Sequence, residues 1–162
     1  MEQSQPQQQQ NPSSAVALSK LTKSALQSAR QSEVQAIAIY QAEIFWTKNK
    51  IKRELLNQIY FEEISHDDSI KKWVELSRLS LIINQFAGFI LGSVLSLLPW
   101  KLLCKVQSWA ETQAGHIYAQ AAYQVKNDPI QTSEHPKIIE ALEHAQEQEY
   151  AHAKTFSQEA QK

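Results

Sequence analysis

"YFEEISHDD", residues Tyr60–Asp68, is the stretch on which the reading of this chain turns. It sits among the apolar residues Ile51, Leu55, Ile59, Ile70 and Trp73, spaced by threes and fours as on an amphipathic helix. Continuing that row from Ile59 by four and then by three lands on Glu63 and His66. A carboxylate and an imidazole therefore occupy the stripe that should face the core. Burying such groups without partners is costly, so their place on that stripe calls for a chemical reason.

The last helical segment repeats the anomaly. Starting near Pro136, a favourable first-turn residue, its stripe runs Ile138, Leu142, Ala145, Glu149, His152, Phe156. Glu149 and His152 are again Glu-x-x-His. Two further helices each carry one inward carboxylate. The first spans about Ala15 to Thr47, with Ile37, Tyr40 and Ile44 on its stripe, and four residues before Ile37 stands Glu33. The other spans about Lys101 to Val125, along Gln107, Glu111, Ala114, Tyr118, Ala122 and Val125. The helix holding the opening motif is expected from about Lys50 to Leu79.

The order along the chain is thus Glu, Glu-x-x-His, Glu, Glu-x-x-His. Residues three apart share a helix face, so each Glu–His pair can reach one centre from the same side. Two divalent cations would neutralise four carboxylates, and two imidazoles would complete their shells. This is the ligand pattern of di-iron and di-manganese four-helix bundles, and its oxygen and imidazole donors suit those metals better than thiolate-seeking ones. One isolated Glu-x-x-His is more often a solvated helix face; the conjunction of four inward positions favours a metal site. The candidate ligands are Glu33, Glu63, His66, Glu111, Glu149 and His152.

Other residues carry less. Tyr40 and Tyr118 each lie seven residues after an inward Glu, two turns along the same face. They either pack in the core or serve as hydrogen-bonding or redox tyrosines beside the metals. His116 is about 140° from the face of Glu111 by helical geometry, a supporting, substrate-facing or structural position. His135 is expected in a loop and His144 on a polar face, both in solvent. Glu62 is expected outside the site, although its neighbouring carboxylate is an alternative ligand.

Composition agrees with an all-α chain. Among 162 residues there are three Gly and five Pro, and the abundant Ala, Gln, Glu, Leu and Lys favour helix. The net charge of -1 offers no electrostatic footprint for nucleic acid. The single Cys104 forms no internal disulfide. Residues 1–14, "MEQSQPQQQQNPSS", read as a disordered Gln-rich tail, leaving 15–162 as one bundle. The tail has no apolar h-region of a secretory signal; Lys20, Lys23 and Arg30 in an acid-poor stretch make a weak case for a mitochondrial presequence. From Leu79 to Trp100 there is no charged side chain, enough to raise a transmembrane reading. Asn84, Gln85, Gly88 and Gly92 interrupt it, and an exposed apolar patch for membrane or lipid contact is favoured over a globular core helix.

These residues resemble the demethoxyubiquinone hydroxylases, ferritin-like di-iron monooxygenases of ubiquinone biosynthesis. The likeness covers about Glu33 to His152. It is carried by Glu33 with "AIYQAE", by Glu63 and His66 followed by "DSIKKWVEL", by Glu111 within "AETQAGHIY", and by Glu149 and His152 in "EQEYAH". The chain departs from the family at "RQSE" before Glu33, at Ile117 where a His is usual, and at "SRLSL" before the apolar segment, as a divergent member would. The resemblance implies a ferritin-like bundle with an extra apolar helix between its two helix pairs, and two Fe ions per chain held by the six candidate ligands. It implies oxygen-dependent hydroxylation of a quinone ring, with His116 and Tyr118 as candidate catalytic groups. Implied partners are an isoprenoid quinone, dioxygen, and a membrane touched through Leu79–Trp100, with a homo-oligomer or a lipid-presenting protein as further possibilities. The implied location is peripheral, on the cytoplasmic face of a bacterial inner membrane rather than mitochondrial. Electrons would come from a reduced pyridine nucleotide or a quinol, as the chain has no Gly-rich nucleotide fingerprint. The rival readings are another ferritin-like di-iron protein, oxidising or storing iron or reducing peroxide, and a metal-free lipid-binding helical protein.

Overall fold

The computed structural model describes residues 18–162; the Gln-rich tail lies outside the described residues. Five helices are present, α1 Lys20–Trp46, α2 Lys50–Ile70, α3 Arg78–Leu95, α4 Trp100–Lys126 and α5 His135–Glu159, and no strand occurs among the described residues. Three starts are capped as local chemistry dictates. The side chains of Ser19, Asn49 and Ser77 accept from the backbone N–H of Thr22, Lys52 and Ser80, each at 3.1 Å. The cap at Ser19 starts α1 at Lys20, later than the expected Ala15.

α1, α2, α5 and α4 form a ring in which each helix packs on its neighbours. Paired contacts show that adjacent helices run antiparallel. Glu43 meets Gln107 while Thr22 meets Asp128 across α1 and α4, and Glu62 meets His152 while His66 meets Gln148 across α2 and α5. The inward stripes stack into three layers. At one end Leu26, Ile70, Val125, Ile138 and Leu142 form an apolar layer, and at the other Leu56, Ile59, Cys104 and Phe156 form a second. Between them lies a polar layer. Each large apolar side chain buried in the outer layers contributes roughly 1.5–3 kcal/mol, which offsets the cost of the polar middle.

α3 packs outside this ring, on α1 and parallel to it. Gln31 reaches Ser80 at one end, and the Trp46 indole donates to Ser93 at the other. Two glycines permit the approach. A Cβ at Gly92 would stand 2.3 Å from the Ile39 carbonyl oxygen, and one at Gly88 would stand 2.5 Å from that of Gln35. The opposite face of α3 is bare: Leu79, Ile82, Ile83, Phe86, Phe89, Ile90 and Val94 are exposed. By length and composition α3 could cross a membrane.

Three expectations are corrected. α2 ends at Ile70 rather than Leu79. The terminator is tertiary: Arg30 binds Asp67 Oδ1 through Nε and the Val74 carbonyl through Nη1, both at 2.8 Å. This pins residues 71–77 as a connection. The inward stripe of α2 runs through Leu56 and Ile59, with Ile51 exposed. His135 is not in solvent but buried at the start of α5. Its Nδ1 accepts from the Thr132 N–H at 2.9 Å and its Nε2 lies 3.2 Å from Thr22 Oγ1. Thr22 and Ser19 both donate to Asp128, so this cluster ties the start of α1 to the α4–α5 connection.

Candidate metal centre

The polar middle layer holds all six residues singled out from the sequence. Glu33, Glu63, His66, Glu111, Glu149 and His152 are each at most 5 % exposed. Four helices deliver them to one place, because each lies on its helix's inward stripe between two apolar layers. Two overlapping groups are each able to hold a metal ion: Glu33, Glu63, His66 and Glu149, and Glu63, Glu111, Glu149 and His152. Within each group the facing atoms lie within 4.8 Å of one another, and Glu63 and Glu149 belong to both.

The two halves are related by a local pseudo-twofold that exchanges α1 with α4 and α2 with α5. His66 Nδ1 lies 3.1 Å from Glu149, 3.6 Å from Glu33 and 3.9 Å from Glu63. His152 Nδ1 lies 3.2 Å from Glu63, 3.6 Å from Glu111 and 3.9 Å from Glu149. The tyrosines obey the same symmetry. The Tyr118 hydroxyl donates to Glu33 Oε1 at 2.5 Å, and Tyr40 donates to Glu111. Each tyrosine serves the carboxylate of the opposite helix, not the one seven residues before it.

The outer nitrogens of the imidazoles are also held from the neighbouring helix. His66 Nε2 lies 2.8 Å from Gln148 Oε1, and His152 Nε2 lies 2.5 Å from Glu62 Oε2. With Nε2–H donating outward, each Nδ1 presents a lone pair to the interior, the tautomer a metal ligand needs.

The inward atoms face only one another, with no hydrogen bond to any other group. Seven buried side-chain atoms among the described residues make no hydrogen bond, and six belong to this cluster: Glu33 Oε2, Glu63 Oε1, both oxygens of Glu149, and Nδ1 of His66 and His152. Buried polar atoms are normally satisfied, so six orphans converging on one spot, all of metal-ligating type, fit a pair of cations. The seventh, Glu43 Oε2, belongs to a nearby carboxyl whose other oxygen accepts from Gln107 Nε2 at 2.6 Å.

In the metal-free chain protons take up part of this burden. Burial, with Glu33 and Glu149 nearby, pushes Glu63 well above the usual carboxylate range. Burial likewise lifts Glu149 to about 9. Burial opposes charge on His66, but Glu149, Glu33 and Glu63 outweigh it and push the ring to about 11. His152 reaches about 9, where Glu111, Glu62 and Glu149 overcome burial. For Glu111, burial is outweighed by His152 and by the Tyr40 hydroxyl, which hold it below the usual range. Burial raises Glu43 to about 8 despite the Gln107 amide.

A cavity of about 160 Å³ opens onto the carboxylates between α1, α3 and α4, lined by Glu33, Tyr40, Glu63, Glu111, Glu149 and Leu91 among others. A larger groove of about 1020 Å³ runs between α2 and α5, but of the six it reaches only His66, beside Gln148. The smaller cavity is therefore the one that bears on the chemistry. His116 stays outside the cluster, exposed on α4, its ring centroid 6.1 Å from that of Tyr150. His144 is exposed as expected. Glu62, set aside in the sequence, proves to be the partner of His152. Gln148 and Glu43 were not singled out, and no single-helix pattern marks them, because their partners lie on other helices.

Paired Glu and Glu-x-x-His side chains in the middle of an antiparallel four-helix ring define the class of carboxylate–imidazole helical bundles. Within that class, the chain belongs to the family described as ubiquinone biosynthesis protein COQ7, which it matches over residues 20–155. That membership gives the chain a role in ubiquinone biosynthesis. No curated protein and no solved structure matches it.

Proposed function

We propose that this chain is an oxygen-dependent monooxygenase that hydroxylates the ring of a demethoxyubiquinone-type quinone. The observation that carries the reading is the set of six orphaned, metal-ligating atoms from α1, α2 and α5, with Glu111 of α4 completing the second group, in a family of ubiquinone biosynthesis. Glu33, Glu63, His66, Glu111, Glu149 and His152 would hold two iron ions, with Glu63 and Glu149 shared between them. Bound iron would supply activation of dioxygen and the electrons passed to it.

The chain's own residues then do three things. Tyr40 and Tyr118 fix one oxygen of Glu111 and of Glu33, leaving the other oxygen turned inward. The two apolar layers exclude water from the reacting centre. The cavity that Leu91 lines would admit the ring to the carboxylates; at about 160 Å³ it leaves no room for a long tail. The tail would leave between α1 and α3, along the exposed apolar face of α3. That face would rest on a bilayer and admit the quinone from it, since a contiguous apolar surface of this kind marks a contact site.

The test is single-turnover chemistry. Iron-loaded protein, reduced anaerobically and mixed with a demethoxyquinone and ¹⁸O₂, should give a hydroxylated quinone carrying one ¹⁸O. Oxygen consumption without a hydroxylated product would reject the reading in favour of an iron-handling one.

A further inference from the structure

The two halves of the site match in their six candidate ligands and in the tyrosines that hold Glu33 and Glu111, but the outer braces of the two histidines differ. Glu62 immediately precedes Glu63 on α2, and Gln148 immediately precedes Glu149 on α5. Each reaches the outer nitrogen of the histidine on the neighbouring helix, Glu62 to His152 at 2.5 Å and Gln148 to His66 at 2.8 Å. The cross-braces are equivalent in position and unlike in charge. Glu62 is also fixed from behind, since its Oε1 accepts from Gln58 Nε2 at 3.1 Å.

A carboxylate on the far nitrogen of a metal-bound imidazole raises its basicity and strengthens its bond to the ion, whereas a neutral amide orients the ring without adding charge. We infer that Glu62 and Gln148 are positioning residues that make the two metal positions unequal, the one at His152 being filled first and the one at His66 second. The inference rests on the metal-centre reading above. Loss of such a partner changes metal affinity by 10- to 100-fold, so a carboxylate set against an amide is expected to give a preference of about tenfold. The consequence is a functional division: the ion at His66, the more weakly held, is the one whose ligands are freer to rearrange.

The experiment follows the order of loading, which a merely structural role would not alter. Zinc alone is added to the full chain labelled with ¹⁵N-histidine, and the ring nitrogens of His66 and His152 are assigned from single His→Gln variants. At one equivalent the His152 Nδ1 signal should shift in about three molecules of four, the fraction a tenfold preference between two independent positions sets. The near-isosteric double exchange Glu62→Gln with Gln148→Glu should reverse the order, so that His66 shifts first. Each single exchange should bring the two rings to comparable occupancy. Helicity and melting temperature of the zinc-free variants check that the bundle is intact. Equal loading of the two rings in the unaltered chain, or the same ring filling first after the double exchange, overturns the inference while leaving the metal centre standing. No shift of either ring at two equivalents overturns both.

Discussion

The Tyr118 hydroxyl on α4 donates to Glu33 Oε1 on α1 at 2.5 Å, and both side chains are buried. Burial together with the Glu33 carboxylate pushes the Tyr118 phenol well above its ordinary range, so it stays a donor at any physiological pH. The contact joins the polar layer to the apolar layer below it. Tyr40 makes the mirror contact to Glu111 from the layer above. The tyrosines thus set which oxygen of each carboxylate is spent and which is left for an ion.

Tyr118→Phe should destabilise the metal-free protein by about 1.5–3 kcal/mol, the range for a hydrogen bond to a charged group. Tyr40→Phe should act similarly through Glu111. Urea denaturation measures both. A loss below about 0.5 kcal/mol in either would mean that these hydroxyls are not what holds the carboxylates in place.

Metal affinity should rise steeply with pH. In the metal-free chain Glu149 and His152 keep their protons up to about 9, and His66 up to about 11. An entering ion must displace them. Each displaced proton is worth about tenfold per pH unit, so the affinity should increase at least roughly tenfold per unit between about pH 6 and 8. The same shifts act on the metal-free fold. All three groups bind protons more tightly folded than unfolded, so their contribution is fully present below the unfolded values, 4.5 for Glu149 and 6.5 for the histidines. It is lost as pH rises toward the folded ones. The thermal stabilisation by metal should therefore grow with pH. A pH-independent affinity, measured by competition with a chelator, would contradict the protonated resting state.

Gly92→Ala should loosen α3 from α1. The added methyl meets the Ile39 carbonyl and Cα at 2.3 and 2.8 Å, backbone atoms that cannot swing aside. Overpacking of this kind costs about 1–3 kcal/mol. Hydrogen exchange should show faster opening confined to α3, with α2 and α5 unchanged. Protection of α3 equal to that of the unaltered chain would show that the two helices do not depend on this close approach.

Liposome binding should depend on the bare face of α3. Phe86 and Phe89 are exposed at 68 % and 43 %, and burying such a side chain is worth roughly 1.5–3 kcal/mol. Phe86→Glu or Phe89→Glu should lower partitioning onto vesicles by about tenfold or more, with iron content unchanged. Unaltered partitioning would place the membrane contact elsewhere.

Most of the inward Glu and His side chains were legible in the sequence because they sit on apolar stripes; that of α4 is less apolar, with Gln107 and Ala114 on either side of Glu111. The stripe of α5 is the clearest case: Ile138, Leu142, Ala145, Glu149, His152 and Phe156 are all buried. The end of α2 was not legible. Trp73 and Val74 continue its apolar rhythm past Ile70 without a Gly or Pro, and the stop comes from Arg30 on another helix. His135 was misplaced for a like reason, since the groups that bury it, Thr22 and Asp128, are over 100 residues and 7 residues away. The cross-braces from Glu62 and Gln148 needed the antiparallel pairing of α2 with α5, which no periodicity within one helix specifies.

The central claim is that the polar layer is built around two ions, and metal stoichiometry tests it most directly. Protein loaded anaerobically with ferrous iron, freed of excess and analysed for metal should carry two irons per chain, falling below one in Glu63→Ala and in Glu149→Ala because each is shared between both positions. Protein that retains no iron, or that retains the same amount when Glu63 and Glu149 are removed, would contradict the account.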